Sequence, residues 1–139
     1  QRIARSTTCS TVADFYTLQS HEALERWGEI EPLLMRIESA DAPMSLVKEH
    51  IRTRAAQVWC IGTPIECVWL TKIEHTPSGT YGALWLGAGD LRIAEAIRTH
   101  SEPWFRRMGC KAVQIVGRRG WKKVFEDYEE KAVILVKTL

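Results

Sequence analysis

Cys110-Lys-Ala-Val-Gln-Ile-Val-Gly-Arg-Arg-Gly-Trp-Lys-Lys-Val-Phe125 is the stretch on which the reading of this chain turns. Val113, Ile115 and Val116 supply β-branched residues suited to a pleated, half-buried surface, which predicts a short strand. Gly117 and Gly120 then bracket two arginines in a basic turn, and glycine permits a positive φ or a close backbone approach. Trp121, Val124 and Phe125 follow at spacings of three and four, which places them on one helical face. Strand, glycine turn and helix in succession present Arg118, Arg119 and a run of backbone N–H groups where a strand gives way to a helix. α/β proteins often bind anions at such a place, although it is also simply how a strand connects to a helix.

Upstream of this stretch the pattern is that of an α/β domain. A polar start contains Val12, Phe15, Tyr16 and Leu18, which predict a first strand or an arm within residues 1–19. Ser20 is a fitting helix cap, and Pro32 suits the first turn of a fresh helix. A broken or kinked helix is therefore expected over about residues 20–39, with a second from Ser45 to about Thr53. Three strand-like runs follow: Ala55 to Ile61, Ile65 to Glu74 and Thr80 to Leu86. In the middle run Ile65, Cys67, Trp69, Thr71 and Ile73 recur with a period of two, which assigns them to one face. The short connections, including the turn residues of Thr76-Pro-Ser-Gly79, make these runs an antiparallel meander. Gly87-Ala-Gly89 leads into Asp90, a natural cap, and Ile93, Ala94 and Ile97 mark the buried stripe of the next helix. Pro103 interrupts that helix, which is expected to restart and stop at Gly109. Lys131 to Lys137 reads as a final strand. The order is helix, helix, three strands, helix, strand, helix, strand.

Composition narrows the function. The chain has 139 residues, enough for one domain with a real core, and it is 45% hydrophobic and 26% charged. Nineteen basic and seventeen acidic residues leave a net charge of +2, far from the strongly basic balance of a nucleic-acid binder. A phosphate-type contact through Arg118, Arg119, Lys122 and Lys123 is the weakest of the readings considered. Six tryptophans predict core or interface anchors. Cys9, Cys60, Cys67 and Cys110 form no CxxC pair and no metal-type spacing with the four histidines. They read as reduced thiols of an intracellular protein, with no metal site. No apolar run approaches the ~20 residues of a membrane span, and no signal peptide is visible.

The order of elements from Ser20 to Leu139 resembles the GNAT superfamily of N-acetyltransferases, a mostly antiparallel mixed sheet with helices on both faces. The resemblance implies a GNAT-like domain over 20–139. In that family a glycine-rich turn after the fourth strand holds the pyrophosphate of acetyl-CoA, and Leu86, Gly87, Ala88, Gly89 and Asp90 stand at that place. With Arg118 and Arg119 they are the cofactor-binding candidates. The family's pattern opens with Gln or Arg three residues before the first glycine, where this chain has Leu84. Asp90 stabilises an empty helix terminus and opposes a pyrophosphate.

For chemistry, the resemblance implies a general base and a tyrosine general acid. Glu66 and Glu74, with His75 as a third choice, are the candidate bases. Phe125 aligns with the family's tyrosine and has no proton to give, which leaves Tyr128, about one turn further on. Met108-Gly-Cys110, Gly117-Arg-Arg-Gly-Trp121 and Asp127-Tyr128 further resemble small GNAT-like proteins of tailed bacteriophages, encoded among virion-structure and assembly genes. That resemblance implies a non-catalytic virion or assembly component acting through contacts with other virion proteins or with itself, located in host cytoplasm and virion and needing no cofactor. The alternative is an active acetyl-CoA-dependent N-acetyltransferase.

Overall fold

The structure, a computed structural model, describes residues 14–116, 123–131 and 135–139. Five strands form one sheet: β1 (Phe15–Leu18), β2 (Gln57–Ile61), β3 (Cys67–Thr76), β4 (Gly79–Ala88) and β5 (Ala112–Ile115), in the spatial order of the chain. Neighbours are antiparallel except β4 and β5, which run parallel. Between β1 and β2 lie α1 (Ser20–Glu25), α2 (Trp27–Leu34), a 3-10 turn (Met35–Ile37) and α3 (Met44–Arg52). Between β4 and β5 a helical segment comprises α4 (Arg92–Ala96), a π turn (Ile97–Ser101) and α5 (Glu102–Arg107). This is the mixed, mostly antiparallel α/β architecture expected from the sequence.

The sheet is covered on both faces, and the sequence of its central strands says why. Val58, Cys60, Val68 and Leu70 point into one cluster with Ala23, Ile30, Leu34, Val47 and Ile51 of α1–α3. Their alternates Trp59, Ile61, Cys67 and Trp69 point into another with Ile93, Ala94, Ala96 and Ile97. Side chains alternate across a strand, so a continuous apolar run needs a cover on each side. The period-of-two reading therefore captured only one face of β3. It also misplaced Ile65, which packs with Val68 and Leu70 rather than with Cys67 and Trp69.

Buried polar groups inside this sandwich find partners. Trp59 Nε1 donates to Thr71 Oγ1 at 2.8 Å, and that hydroxyl donates to Gln57 Oε1 at 2.9 Å. Trp69 Nε1 donates to the buried Ser101 Oγ at 2.9 Å, joining β3 to the π turn. An indole buried for its apolar area must still place its one N–H.

The interruption expected at Pro103 takes the form of a π turn, after which the helix continues to Arg107. A proline ring collides with the carbonyl four residues earlier, here Thr99, and Thr99 lies in the π turn. The widened turn places the irregularity where the proline requires it, and backbone angles stay helical through Glu102. Phe105 then closes on β4 at Gly82, where an added Cβ would come within 2.5 Å of the ring.

Of the expected final strand, Lys131 and residues 135–137 have no regular structure, and residues 132–134 lie outside the described residues. Trp121 of the predicted helix face also lies outside them, while Val124 and Phe125 both pack into the second cluster. Cys60, Cys67 and Cys110 are free thiols, the first two buried, and burial pushes Cys60 up to about 12. Among the described residues no helix is long and apolar enough to cross a membrane.

Trp69→Ala should destabilise the protein by about 3–5 kcal/mol in urea unfolding, because it removes a buried indole and leaves Ser101 without its donor. A second expectation concerns Glu29 of α2, whose Oε1 accepts the Ile65 N–H at 3.0 Å while its carboxylate pairs with Arg26. Arg26, then the Ile65 N–H, hold that carboxyl at about 2, below its ordinary 4.5. Its contribution to stability is complete above pH 4.5 and is lost as pH falls through about 2. The melting-temperature gap between the native protein and Glu29→Gln should therefore be open at pH 7 and should close on acidification across that window.

Candidate functional site

The place to look for chemistry is where the two parallel strands part. β4 pairs with β3 through Leu86 opposite Leu70 and Leu84 opposite Thr71, so Trp85 is one residue too many for its partner. Such a bulge turns two successive side chains to the same face and bends the strand. Accordingly Trp85 and Leu86 both pack on the first cluster while Leu84 packs on the second. The parallel pairing of β4 with β5 ends at Leu84 opposite Ile115, immediately before the bulge. Beyond it, residues 86–88 are paired to β3 on one side and to no strand on the other among the described residues.

Trp85 packs in the bulge against two side chains of other elements. The Lys72 ammonium sits 3.6 Å from its ring centroid and the His50 ring lies 5.0 Å away. Burial lowers the pKa of both, and for His50 the nearby Lys72 charge lowers it further. Neither residue was a candidate from sequence. The signal available was Leu84-Trp85-Leu86, three large apolar residues in a row between Gly82 and Gly87, which breaks a two-residue period.

At the end of β4, Gly87 and Ala88 are still strand residues opposite Trp69 and Val68. Only residues 89–91 join the strand to α4. Gly89 has φ +141°, and a Cβ there would lie 2.6 Å from Cys67 Sγ and 2.8 Å from Cys67 Cα. The corner thus rests directly on the start of β3, and both conformation and contact demand glycine. The glycine-rich turn expected over residues 86–90 is therefore mostly strand.

Asp90 occupies the helix start. Its Oδ1 accepts the Arg92 backbone N–H at 3.0 Å, and the Arg92 guanidinium reaches both carboxylate oxygens, at 2.9 Å to Oδ1 and 2.8 Å to Oδ2. Arg92 also pairs with Glu66 Oε1 at 2.9 Å, and the Cys67 thiol donates to Asp90 Oδ1 at 3.5 Å. Arg92 holds Asp90 at about 2, below its ordinary 3.8, while burial raises Cys67. Two carboxylates and one guanidinium leave this cluster one negative charge in excess.

The three catalytic candidates are not brought to one place. Glu66 stands at the corner, bound to Arg92. Glu74 lies at the exposed far end of β3, eight residues on, or about 26 Å along an extended strand. Tyr128 packs against Phe125, with ring centroids 5.3 Å apart, and donates its hydroxyl proton to Glu102 Oε2 of α5 at 2.8 Å. Burial, then the Glu102 carboxylate, push its pKa well above the ordinary tyrosine value. Phe125 is buried in the second cluster. Arg118 and Arg119 lie outside the described residues. Among the described residues no group of three or more His, Cys, Asp or Glu could hold a metal ion.

With this geometry in view, the chain can be compared with known proteins. No protein-family model matches it, and no curated protein sequence does. Solved structures do. One is an aminoglycoside acetyltransferase from an uncultured soil metagenomic sample, in complex with trehalose, at a TM-score of 0.66 and 11% identity. That match covers 90% of this chain and 95% of the other. A second is the ribosomal-protein-alanine N-acetyltransferase of Brucella melitensis biovar Abortus 2308, at a TM-score of 0.65 and 16% identity, covering 90% and 99%. A third is the aminoglycoside N-acetyltransferase AAC(6')-Iy in complex with CoA, at a TM-score of 0.64 and 15% identity, covering 91% and 99%. The chain has the fold of the GNAT acetyltransferases.

Gly89→Ala should cost about 2–4 kcal/mol, combining a strained φ with overlap onto β3. The same substitution in a Cys67→Ala background should recover only part of that loss, since the Cys67 backbone still blocks the Cβ. Paired urea titrations of the four proteins measure this.

Proposed function

We propose that this GNAT-fold protein does not carry out acyl transfer and works through contacts with other proteins, as a virion or assembly component of a tailed bacteriophage. The observation that carries the first part is the occupation of the α4 N-terminus by Asp90. A diphosphate would need the N–H groups and positive field of that helix start. Here one of those donors serves a carboxylate of the same chain, the connecting link is three residues, and the surrounding side chains carry a net negative charge. The proton donor supports the same reading. Phe125 cannot give a proton, and the Tyr128 hydroxyl is engaged as a hydrogen-bond donor to Glu102 while burial holds it away from ready ionisation. The phage assignment rests on the sequence resemblance carried by Met108 to Cys110, residues 117–121 and Asp127-Tyr128.

A second reading, an active acetyl-CoA-dependent N-acetyltransferase, is favoured by one feature. The edge of β4 past Leu84 is free of strand pairing among the described residues, so backbone groups there can meet an extended ligand. One solved structure of the same overall fold is in complex with CoA.

Titration with acetyl-CoA separates the two. A ligand present at a hundred times its Kd stabilises a fold by about 2.7 kcal/mol, a shift of several degrees in melting temperature. We expect less than one degree at millimolar acetyl-CoA. A shift of several degrees, accompanied by acetyl transfer to an amine, would establish the enzyme instead. For the phage assignment, the protein should be found by mass spectrometry in purified particles or assembly intermediates, and absence from both would overturn it.

A further inference from the structure

Two buried side-chain nitrogens among the described residues have no hydrogen-bond partner, His50 Nδ1 and His100 Nε2. His100 belongs to the π turn, and its ring lies flat on Phe15 of β1, with centroids 3.7 Å apart and planes 4° from parallel. Phe15 also reaches Trp59 at 5.9 Å and Trp69 at 6.1 Å. Of the four residues of β1, Phe15 alone packs into the second cluster, while Tyr16 and Leu18 turn to the first and Thr17 is exposed. On that face of the sheet the first strand is fastened by one phenyl ring, packed on two indoles and an imidazole.

The fastening suits a neutral imidazole. An imidazolium carries an N–H on both nitrogens and would bury one of them charged and unpartnered. A phenyl face attracts a cation, but in a parallel stack the Nε2–H bond lies in the imidazole plane and does not point at the phenyl. Burial alone lowers the His100 pKa from its ordinary 6.5. Charged groups adjoin both elements, yet each is directed elsewhere. Asp14, before Phe15, is exposed; Arg98 donates to Val124 O and pairs with Asp127; Glu102 accepts the Tyr128 hydroxyl. Trp59 and Trp69 bring no charge from the sheet.

We propose that Phe15 and His100 form an acid-released clasp: uptake of one proton by His100 weakens the stack and lets β1 lift from β2, uncovering the pairing edge of β2 together with Trp59 and Trp69. β1 is suited to move by itself. It is four residues long, and outside the clasp it is held by its pairing with β2, by Tyr16 and Leu18 on the first cluster, and by the Tyr16 hydroxyl donating to Gly62 O at 2.7 Å. Once lifted, His100 regains its ordinary 6.5, above its value in the closed form. The closed form is therefore fully favoured above pH 6.5 and loses ground as pH falls below it. This device goes beyond the functional reading above and is independent of it.

Hydrogen exchange of the full chain at pH 7.5 and pH 5.0, corrected for intrinsic rates, tests the clasp. Both values lie above the range in which Glu29 titrates, and His50, on the other face against Trp85, is retained throughout. We expect the opening constant of residues 15–18 to rise about five- to thirtyfold on acidification, the upper limit being what one histidine of ordinary pKa 6.5 can supply. Residues 67–71 of β3 should keep their protection. His100→Phe retains a ring to stack and has no proton to take up, so its residues 15–18 should open equally at both pH values. His100→Gln, uncharged at both, should do the same. Unchanged protection of residues 15–18 in the native chain overturns the proposal. So does an acid response that survives in both variants, or one that spreads equally to residues 67–71. None of these outcomes bears on acetyl-CoA binding.

Discussion

β3 is buried on both faces over its first five residues, and the rest of the architecture follows from that. Cys67 and Trp69 on one side and Val68 and Leu70 on the other all leave water. A strand with two apolar faces cannot lie on the surface, so each face must be covered by elements that do not compete for the same space. The chain before β2 covers one side with α1–α3, and the chain after β4 covers the other with α4, the π turn and α5. The indole N–H groups add direction to what would otherwise be area alone. Trp59 is bound within the sheet through Thr71, and Trp69 is bound to the helix through Ser101. Where the cover stops, after Thr71, the strand continues into an exposed hairpin.

One residue in β4 breaks the regularity of that layered frame. Trp85 has no opposite number on β3, and β5 follows β4 only as far as the residue before it. A parallel neighbour can track a bent strand only until the bend, so the bulge is where the pairing ends. Lys72 and His50 pack against the indole and share the burial that holds the bulge in place. Their lowered pKa values follow from that packing.

Much of this was readable in the residues. The helices, the antiparallel meander and a short strand after Cys110 follow from apolar spacing and short turns. The limits were physical. A period-of-two count finds the face it is looking for, so Ile65 was placed with Cys67 and Trp69 although it packs with Val68 and Leu70. Proline in a helix predicts a break, yet a π turn can absorb the clash at Thr99 without one. Glycines after a strand predict a loop, yet Gly87 and Ala88 stay paired to β3, because spacing cannot report where a ladder ends. Asp90 was legible as a cap, whereas Arg92 and its second carboxylate partner Glu66 were not, since the latter contact joins residues 26 positions apart. Glu66 and Glu74 share a strand in sequence and stand at opposite ends of it in space.

The corner after β4 shows why a shared fold does not carry its chemistry with it. A helix start offers a small set of N–H donors, and any anion that binds there must compete for them. In this chain the competitor is tethered: Asp90 sits two residues before the N–H it accepts, so it surrenders little freedom in binding. A diffusing ligand must lose translational freedom as well as displace a carboxylate already matched to Arg92. Displacement would also leave two acidic groups beside the incoming phosphates. Neutralising Asp90 alone would remove the repulsion but would leave Gly89 seated on Cys67 and the link three residues long. Two separate features, one electrostatic and one of backbone path, would therefore have to change before this helix start could hold a diphosphate.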